Sequence, residues 1–573
     1  MCMLIKDLQR SGIYVFANKG LIGKTGSSGP PSSGRGFALV ELPLRVATVG
    51  LRSGISPKTP RPNLSAFLCA FCVESFSCLF SAHQKLHYNA VSSKNRSPTC
   101  IIMQFLTLFQ APVPCHDRES AIHLLHKNHP ITSKESPAAT ATQRRFYFPV
   151  LASKYMSREV FIVSAVRTPI GKFGGSLAGM TAADLGVHVV RAAVERAFGE
   201  TPPEHVPGEA ASDEAKKWIA AKKWRADELI FGNARPAGVG PNVARQIAWR
   251  SGLGDDVPAF TVNMACASGL RAILLGWQQI KLGEAEIIVA GGAESMSRVP
   301  FLVEARWGFR LGNQPLVDAM YRDGFMCPMA KMLMGETAEL LAEKYKISRE
   351  EQDEFALKSQ ERAVAAARGR RFRDEIVAVE RIDKKGKTIS FDADEHVRAT
   401  PELELLTKLP PVFSPTGTIT AGNSSGITDG AAAVVLMSGE RMRELGVKPL
   451  TRIHDATVAA VDPREMGIGP VPAIRKLEQR TGWKLADYSA IELNEAFAAQ
   501  VIACDRELGF DRARLNMNGG AIALGHPIGA TGARITTTLV HELRRSAGKS
   551  AQRGLATLCV SGGMGVALAL EGV

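Results

Sequence analysis

Several features are missing from this sequence of 573 residues, and each absence excludes a class of protein. No run of eighteen or more uninterrupted apolar residues occurs, which argues against an integral membrane protein. Aromatic residues make up only 6%, whereas glycine is abundant, at 53 residues. So many small residues favour close backbone packing, and the length suffices for a large core and more than one domain.

A broad basic surface is also missing outside the first part of the chain. Residues 1–155 carry 18 Lys and Arg against 6 Asp and Glu, which leaves only +2 of the net charge of +14 for residues 156–573. This nearly neutral remainder lacks the electrostatic footprint of a nucleic-acid-binding protein.

A disulfide framework is absent as well. Six of the ten cysteines lie in residues 1–155, and the other four, Cys266, Cys327, Cys504 and Cys559, are far apart. Scattered cysteines in a large chain favour a reducing compartment, so we expect a cytoplasmic protein.

Residues 1–155 show no sustained periodicity and include "TGSSGPPSSGRG" and "SPKTPRPN", which are typical of loops or disorder. Their basic, serine-rich and acid-poor composition resembles a transit peptide, although the segment is long for one. We interpret it as a disordered or mis-assigned extension before a domain that begins near Met156.

Three alternatives stay open for this extension. The apolar stretch at 64–82 could form a membrane helix, although it contains a glutamate and several serines. The extension could serve a separate anchoring role. A zinc site is the third alternative, because two cysteines and two histidines are spaced roughly as in a zinc finger: Cys69, Cys72, His83 and His87.

From Arg158 onward, apolar strand-like runs alternate with helical patterns, which predicts an α/β layered fold. Residues 297–419 break this alternation with charged helices and indicate an inserted subdomain. A weak repeat relates "EIIVAGGAESMS", from Glu286, to "ATLCVSGGMGVAL", from Ala556. Two related halves with a site between them would explain the repeat.

Cys266 lies in "TVNMACASGLRAI", where a predicted strand gives way to a predicted helix. Unpaired amide groups and the dipole at a helix N-terminus favour the nucleophilic thiolate. The alternative is a small buried hydrophobic side chain, which is how many free cysteines behave.

Three further blocks contain residues with chemical potential. His526 lies in the glycine-rich "NMNGGAIALGHPIGATGARI", Cys559 ends a predicted strand in "LCVSGGMG", and Asn494 and Glu495 follow another strand in "ELNEAFAAQ". Each block alone also fits an ordinary structural role.

Taken together and in this order, the blocks resemble the thiolase family, as do "VRTPIGKFGG" and "TAGNSSGITDGAA". The resemblance runs from about Arg158 to Glu571. It implies a duplicated, layered α-β-α-β-α fold with an inserted loop subdomain, an N-terminal domain at 156–441 and a C-terminal domain at 442–573.

The resemblance also implies an activity. Thiolases cleave a 3-oxoacyl-CoA with a second CoA, or run the reverse Claisen condensation. By resemblance, Cys266 is the nucleophile that becomes acylated, His526 is the base that activates it, and Cys559 is the acid/base for the acetyl-CoA carbanion.

Two oxyanion holes are implied in the same way. Asn494, through a water, and His526 would form one hole, and the backbone N–H groups of Cys266 and Ser561 would form the other. Ser425 and Arg398 match residues that contact CoA. CoA is then a substrate, and no metal or dissociable cofactor is expected; a homotetramer or homodimer and a β-oxidation partner enzyme are implied.

Two positions depart from common family patterns. Ser561 replaces a frequent glycine, which preserves a role that needs only its N–H. Leu333 stands where short-chain biosynthetic members have histidine, which favours longer acyl chains. The alternatives are a short-chain acetoacetyl-CoA thiolase, a ketosynthase-type condensing enzyme, and a non-catalytic acyl-CoA or lipid-binding homologue.

Overall fold

A computed structural model describes residues 158–382, 386–546 and 552–573. The predicted extension at 1–155, with its alternative membrane helix and zinc site, lies outside the described residues. Within the described part, no helix is long and apolar enough to cross a membrane.

The bounds of the elements are as follows. The strands are β1 (Val160–Arg167), β2 (Gly171–Lys172), β3 (Glu228–Gly232), β4 (Ala259–Val262), β5 (Ile287–Ser295), β6 (Phe301–Leu302), β7 (Val317–Asp318), β8 (Met326–Cys327), β9 (Met332–Leu333), β10 (Val379–Ile382), β11 (Thr388–Phe391), β12 (Thr428–Ser438), β13 (Thr451–Ala460), β14 (Ala490–Leu493), β15 (Arg553–Val560) and β16 (Met564–Gly572). The helices are α1 (Ala182–Phe198), α2 (Asp213–Ala221), α3 (Val243–Arg250), α4 (Ser268–Leu282), α5 (Met334–Lys344), α6 (Arg349–Arg368), α7 (Leu403–Thr407), α8 (Gly439–Leu445), α9 (Pro470–Thr481), α10 (Ala498–Leu508), α11 (Ala521–Leu524) and α12 (Ile528–Arg545).

One sheet with the order β14-β15-β16-β13-β1-β12-β5-β3-β4 organises the described residues. Its centre is the antiparallel pair of β1 and β13, where Phe161 faces Arg452. On one side β12, β5 and β3 follow β1; on the other β16, β15 and β14 follow β13 in the same pattern of antiparallel, antiparallel and parallel pairs. The duplicated α/β fold predicted from the sequence is therefore confirmed.

The repeat has a clear structural meaning in this order. The apolar run of the first copy lies in β5 and that of the second copy in β15, and these two strands occupy the same place in their half of the sheet. The helices α4 and α12 lie between the halves: their apolar residues form one core with the inner faces of β5, β12, β15 and β16. The helix α12 is buried from Ile528 to Leu543.

Separate cores cover the two outer faces. The apolar faces of α1 and α3 pack on β1, β3, β5 and β12, and those of α9 and α10 pack on β14, β15 and β16. The resulting order of layers is helix, half of the sheet, helix, other half of the sheet, helix. The helix α1 shows how local sequence starts such a layer, because Thr181 and Asp184 form a reciprocal capping box at its N-terminus.

The strands β5 and β12 are direct antiparallel neighbours in the sheet. Among the described residues, no strand of the sheet lies between them, so the chain that connects them lies outside the sheet. It holds β6–β11 and α5–α7, and we call it the insertion. The predicted domain boundary between residues 441 and 442 falls within α8 and stays a prediction.

The two central helices approach each other closely near their N-termini. A Cβ atom at Gly532 of α12 would lie 2.4 Å from the backbone N of Leu270, and one at Gly269 of α4 would lie 3.0 Å from the backbone N of Ala533. Glycine at both positions therefore permits a backbone-to-backbone contact, and a larger residue would push the two helices apart.

We expect Gly532→Ala to destabilise the fold by about 1–3 kcal/mol, because overpacking against a backbone atom forces the two helices apart. Thermal unfolding of the purified variant measures the effect. The matched control is Gly179→Ala, since a Cβ at this exposed glycine meets nothing within 4 Å, and its stability should change by less than about 0.5 kcal/mol. Equal losses in both variants would contradict the close helix crossing.

Candidate active site

Cys266 lies in a short 3-10 turn, Ala265–Ala267, directly before α4. The strand-to-helix junction predicted around it is therefore confirmed. Ala265 adopts a left-handed backbone with φ of 45°, which is rare for a residue with a Cβ. The hydroxyl of Ser268 holds this turn, because it accepts from the backbone N of Met264 at 2.9 Å and donates to the carbonyl of Ala265 at 2.7 Å.

Cys559 and Ser561 reach the same place from the other half of the sheet. Cys559 is 1% exposed and lies one residue before the end of β15, close enough to Cys266 that ionisation of that thiol raises the pKa of Cys559. The backbone N–H of Ser561 interacts with the sulfur of Cys266, as does the N–H of Cys266 itself. The structure thus brings the two predicted thiols and the two predicted oxyanion-hole amides together.

The turn after β15 depends on glycine. Gly563 has a φ of 81°, and a Cβ there would lie 2.4 Å from the carbonyl oxygen of Val461. Next to it, a Cβ at Gly562 would lie 3.0 Å from the Cε of Met329. Met329 belongs to the insertion, so the insertion contacts the turn that carries Ser561.

His526 lies between α11 and α12, in the glycine-rich segment, and is 7% exposed. Its Nδ1 is 2.6 Å from the Oγ1 of Thr531, and that hydroxyl lies 3.0 Å from the carbonyl oxygen of Pro527, to which it donates. A hydroxyl has one proton to give, so it accepts from Nδ1–H of the imidazole. This assigns the proton of neutral His526 to Nδ1 and leaves Nε2 as the basic nitrogen.

The Nε2 of His526 is buried and has no hydrogen-bond partner among the described residues. Asn494 is in the same condition: it is fully buried just after β14, and neither atom of its side-chain amide has a partner within the described part. Buried polar groups are normally satisfied. Two such groups in loops tied to one site indicate that a ligand or water binds there.

A hydrogen-bonded loop connects these two groups. The backbone N of Ser425 donates to the carbonyl of Ala496 at 3.0 Å, and the backbone N of His526 donates to the carbonyl of Gly426 at 3.0 Å. Ser425 therefore lies between the loop of Asn494 and the loop of His526, at the edge of the site.

Arg398, the second residue predicted to contact CoA, belongs to the insertion and is half-buried. Its backbone N donates to Oε1 of Gln360 at 3.1 Å. Two residues earlier, the Nδ1 of His396 is 3.2 Å from the carbonyl of Ala523, and a Cβ at Gly426 would meet its ring at 2.2 Å. Arg398 thus follows a segment packed on the loop of Ser425.

The predicted low pKa of Cys266 is wrong. Burial raises the pKa of this thiol, and the N–H of Ser561 and the positive charge of Arg235 only partly counteract that rise. The sequence argument considered the helix terminus and omitted the loss of water around the half-buried sulfur. Burial likewise raises the pKa of Cys559, and the nearby Cys266 raises it further.

Burial also lowers the pKa of His526 to about 3, helped by the charges of Arg534 and Arg235. At neutral pH the imidazole is therefore uncharged and can accept a proton at Nε2. The resting site consists of a neutral thiol and a neutral base rather than of a thiolate and an imidazolium ion.

Three residues of the site were not found from the sequence: Thr531, Glu294 and Arg235. Thr531 lies one helical turn after His526, a spacing that could have indicated its role. Glu294 ends β5 and accepts from the backbone N of Gly529 at 2.8 Å, which ties β5 to the start of α12. Arg235 follows β3, and its positive charge acts on the thiol of Cys266. No motif in the sequence marked this residue.

Leu333 is half-buried and directly precedes α5. It pairs with Met326 across β8 and β9, one residue from Phe325. Phe325 and Cys266 both pack against an apolar cluster of four buried residues, Ala234, Met296, Met320 and Ile528. We call this group the Met296 cluster; it forms an apolar wall beside the nucleophile.

Comparison with known proteins agrees with this geometry. Family models described as "Thiolase, N-terminal domain" match residues 160–208 and 208–440, and one described as "Thiolase, C-terminal domain" matches 447–572. The acetyl-CoA acetyltransferase of Pseudomonas aeruginosa is 48% identical over 414 residues, which is 72% of this chain and 99% of that protein.

Solved structures give the same result. The acetyl-CoA acetyltransferase of Bacillus anthracis has a TM-score of 0.66 at 43% identity, covering 73% of this chain and 99% of its own. Human mitochondrial 3-ketoacyl-CoA thiolase in complex with CoA has a TM-score of 0.65 at 40% identity, covering 73% and 99%. The chain belongs to the thiolase family.

Proposed function

We propose that this chain catalyses the CoA-dependent cleavage of 3-oxoacyl-CoA to acetyl-CoA and a shortened acyl-CoA, and the reverse condensation. The observation that supports this most strongly is that Cys266 and Cys559, from the two halves of the sheet, lie close together. The backbone N–H groups of Cys266 and Ser561 lie beside the same sulfur. CoA is a substrate in this reaction, and no metal or further cofactor takes part.

In the first half-reaction the sulfur of Cys266 adds to the 3-oxo carbonyl while Nε2 of His526 takes its proton. The bond between C2 and C3 then breaks. The acyl group stays on Cys266, and the acetyl-CoA carbanion takes a proton from the thiol of Cys559. In the second half-reaction, Cys559 takes the proton of an incoming CoA thiol, whose sulfur displaces Cys266 from the acyl group. His526 returns its proton to the released sulfur of Cys266, so that all three groups are neutral again.

Charge develops on two oxygens during these steps, and two sets of donors can receive it. The amides of Cys266 and Ser561 would stabilise the oxyanion of the acyl group. The enolate oxygen of acetyl-CoA would be stabilised by His526 and by a water held by Asn494, whose amide is otherwise unpartnered. Preorganised donors of this kind lower the barrier because they need no reorganisation during the reaction.

Ser425 and Arg398 would bind the CoA arm, with the serine near the pantetheine and the arginine near the nucleotide. We further propose that the protein forms a homotetramer or homodimer and is located in the cytoplasm. We also propose that it acts in fatty-acid β-oxidation, together with a partner enzyme of that pathway. These rest on the family and, for the compartment, on the cysteines: the four in the described residues are all free thiols.

A second candidate is a short-chain acetyl-CoA acetyltransferase that works in the biosynthetic direction. The names of relatives such as that of Pseudomonas aeruginosa favour it. Leu333 favours the first proposal, because its strand partner Met326 adjoins Phe325, which packs against the Met296 cluster. An apolar side chain here suits a site that accepts a longer acyl chain.

Substitution of each thiol should distinguish the role of Cys266 from that of Cys559. Cys266→Ala should abolish acylation and cleavage together. Cys559→Ala should still be acylated at Cys266 by acyl-CoA, as seen by intact mass after long incubation, because CoA can leave as a thiolate without a proton donor. Cleavage of the carbon–carbon bond, whose carbanion needs the proton, should fall by about 10²–10⁴-fold, the usual contribution of an acid/base group. The matched control is Cys504→Ala, another buried cysteine, which should keep both activities; loss of acylation in Cys559→Ala would contradict the assigned roles.

Reaction of Cys266 with iodoacetamide should increase with pH. A raised thiol pKa means that the thiolate fraction at neutral pH is small and grows about tenfold per pH unit up to the pKa. Peptide mass spectrometry should therefore show a steady increase between about pH 6 and 9 and protection by acyl-CoA. A rate that is constant over this range would instead indicate a preformed thiolate–imidazolium pair.

Chain-length preference distinguishes the two candidate functions. Thiolysis of a ladder from acetoacetyl-CoA to 3-oxooctanoyl-CoA should show higher kcat/KM for the longer substrate, since each buried methylene contributes about 0.8 kcal/mol. Leu333→His should narrow that difference. A strong preference of the unmodified enzyme for acetoacetyl-CoA would support the short-chain alternative.

A further inference from the structure

Arg235 is a buried cation that no carboxylate neutralises by direct contact. It is 6% exposed and makes no ion pair with any of the described residues. Its Nη1 donates to the neighbouring carbonyl of Ala234 at 3.2 Å, and its Nε has no partner within the described part. A guanidinium offers five N–H donors in a fixed fork, so most of its capacity is unused.

Glu294 is near enough to be influenced by this charge, but its carboxylate is already saturated. Burial raises the pKa of Glu294, and the positive charge of Arg235 opposes the rise. The four partners of its two oxygens are the backbone N–H groups of Ala234, Arg235 and Gly529 and the side-chain amide of Asn233, at 2.8–3.2 Å. A carboxylate has about four acceptor sites, so none remains for the guanidinium.

The position of Arg235 connects it with the acyl side of the site. Its neighbour Ala234 belongs to the Met296 cluster, against which Cys266 packs. A Cβ at Gly324 would lie 2.5 Å from the Nε and Nη2 of Arg235, and Gly324 directly precedes Phe325, which also packs against the cluster. The guanidinium therefore lies at the border of the apolar wall.

A cavity of about 300 Å³ opens beside Arg235. Val299 lines this cavity and also packs against the Met296 cluster, so cavity and cluster share a wall. Two more arginines line it: Arg250, whose Nη1 is 2.7 Å from Asp184, and Arg298, which is exposed. Asp184 contributes a single negative charge, so the lining is cationic overall.

We propose that Arg235 binds a carboxylate at the far end of the substrate's acyl chain, so that the enzyme acts on 3-oxoacyl-CoA thioesters of dicarboxylic acids. This rests on the proposed function. A planar guanidinium can receive a carboxylate through two parallel N–H···O bonds, and burying an unpaired charge is otherwise unfavourable. The apolar wall would hold the methylenes between the reacting carbonyl and this carboxylate.

The chemistry of the reaction is unchanged by this group. With 3-oxoadipyl-CoA, the bond between C2 and C3 breaks, a bond forms between C3 and the sulfur of the second CoA, and the thiol proton ends on the methyl group of acetyl-CoA. The products are succinyl-CoA and acetyl-CoA. The terminal carboxylate takes no part in bond making and contributes only to binding.

The test compares 3-oxoadipyl-CoA with 3-oxohexanoyl-CoA, which has the same six carbons and no terminal carboxylate. The unmodified enzyme should prefer the former by about tenfold or more in kcat/KM. Arg235→Met should lower the ratio of kcat/KM for 3-oxoadipyl-CoA to kcat/KM for 3-oxohexanoyl-CoA by about 10–100-fold, the range for a lost charged hydrogen bond. Loss of a charge that acts on Cys266 and His526 affects both substrates equally and cancels in this ratio. Arg235→Lys, which keeps the charge without the fork, should give an intermediate preference.

Arg298→Met is the matched control, because this exposed arginine lines the same cavity but is screened by solvent; both substrates should change by less than about threefold. Equal losses for both substrates in Arg235→Met, with a lowered Tm, would assign Arg235 a purely structural role beside Glu294 and overturn the inference. If Arg235→Met does not fold, Arg235→Lys and the preference of the unmodified enzyme still show whether Arg235 binds the terminal carboxylate of the substrate.

Two further outcomes would also overturn the inference. Cleavage of 3-oxohexanoyl-CoA with rejection of 3-oxoadipyl-CoA would do so while leaving the proposed function intact. Inhibition by free glutarate that disappears in Arg235→Met, without a preference for 3-oxoadipyl-CoA, would make the cavity a site for a separate anion. Only absence of cleavage of both substrates, together with absence of acylation at Cys266, would defeat the proposed function itself.

Discussion

The close crossing of α4 and α12 is the constraint on which the site depends. Cys266 and His526 each lie two residues before the first residue of their helix, so the distance between the helix N-termini sets the distance between nucleophile and base. Glycine at 532 is required for that approach, because a Cβ there would lie 2.4 Å from the backbone N of Leu270, and glycine at 269 avoids a tight contact of 3.0 Å with the backbone N of Ala533. The duplicated sheet then brings Cys559 from the end of β15, which packs against the same pair of helices.

Burial has the largest effect on the charges within this site. It raises the pKa of both thiols and lowers that of His526, so the resting groups are neutral and proton transfer accompanies each bond change. In this setting the hydrogen-bond chain from His526 through Thr531 to Pro527 matters greatly, because it presents the unprotonated nitrogen to the substrate.

The sequence predicted those parts that depend on local pattern or on family motifs. Apolar periodicity located the junction at Cys266, and the repeated strand indicated the duplicated sheet. The pKa direction of Cys266 was wrong because desolvation arises from residues far apart in the chain, such as Met296 and Ile528. Arg235 was missed for the same reason, since only the folded chain shows that Glu294 has no acceptor left for it.

The uninterrupted hydrogen bonding from β14 to β4 has a mechanical consequence. Opening the cleft by swinging one half away from the other would break the β1–β13 pair, so the catalytic groups sit on a rigid frame rather than across a hinge. The insertion, in contrast, leaves and re-enters this frame between two adjacent strands. Sequence changes in the insertion, which holds Met329 and Phe325, can therefore alter the surroundings of the site during evolution. The positions of Cys266, His526 and Cys559 on the sheet and its helices stay fixed.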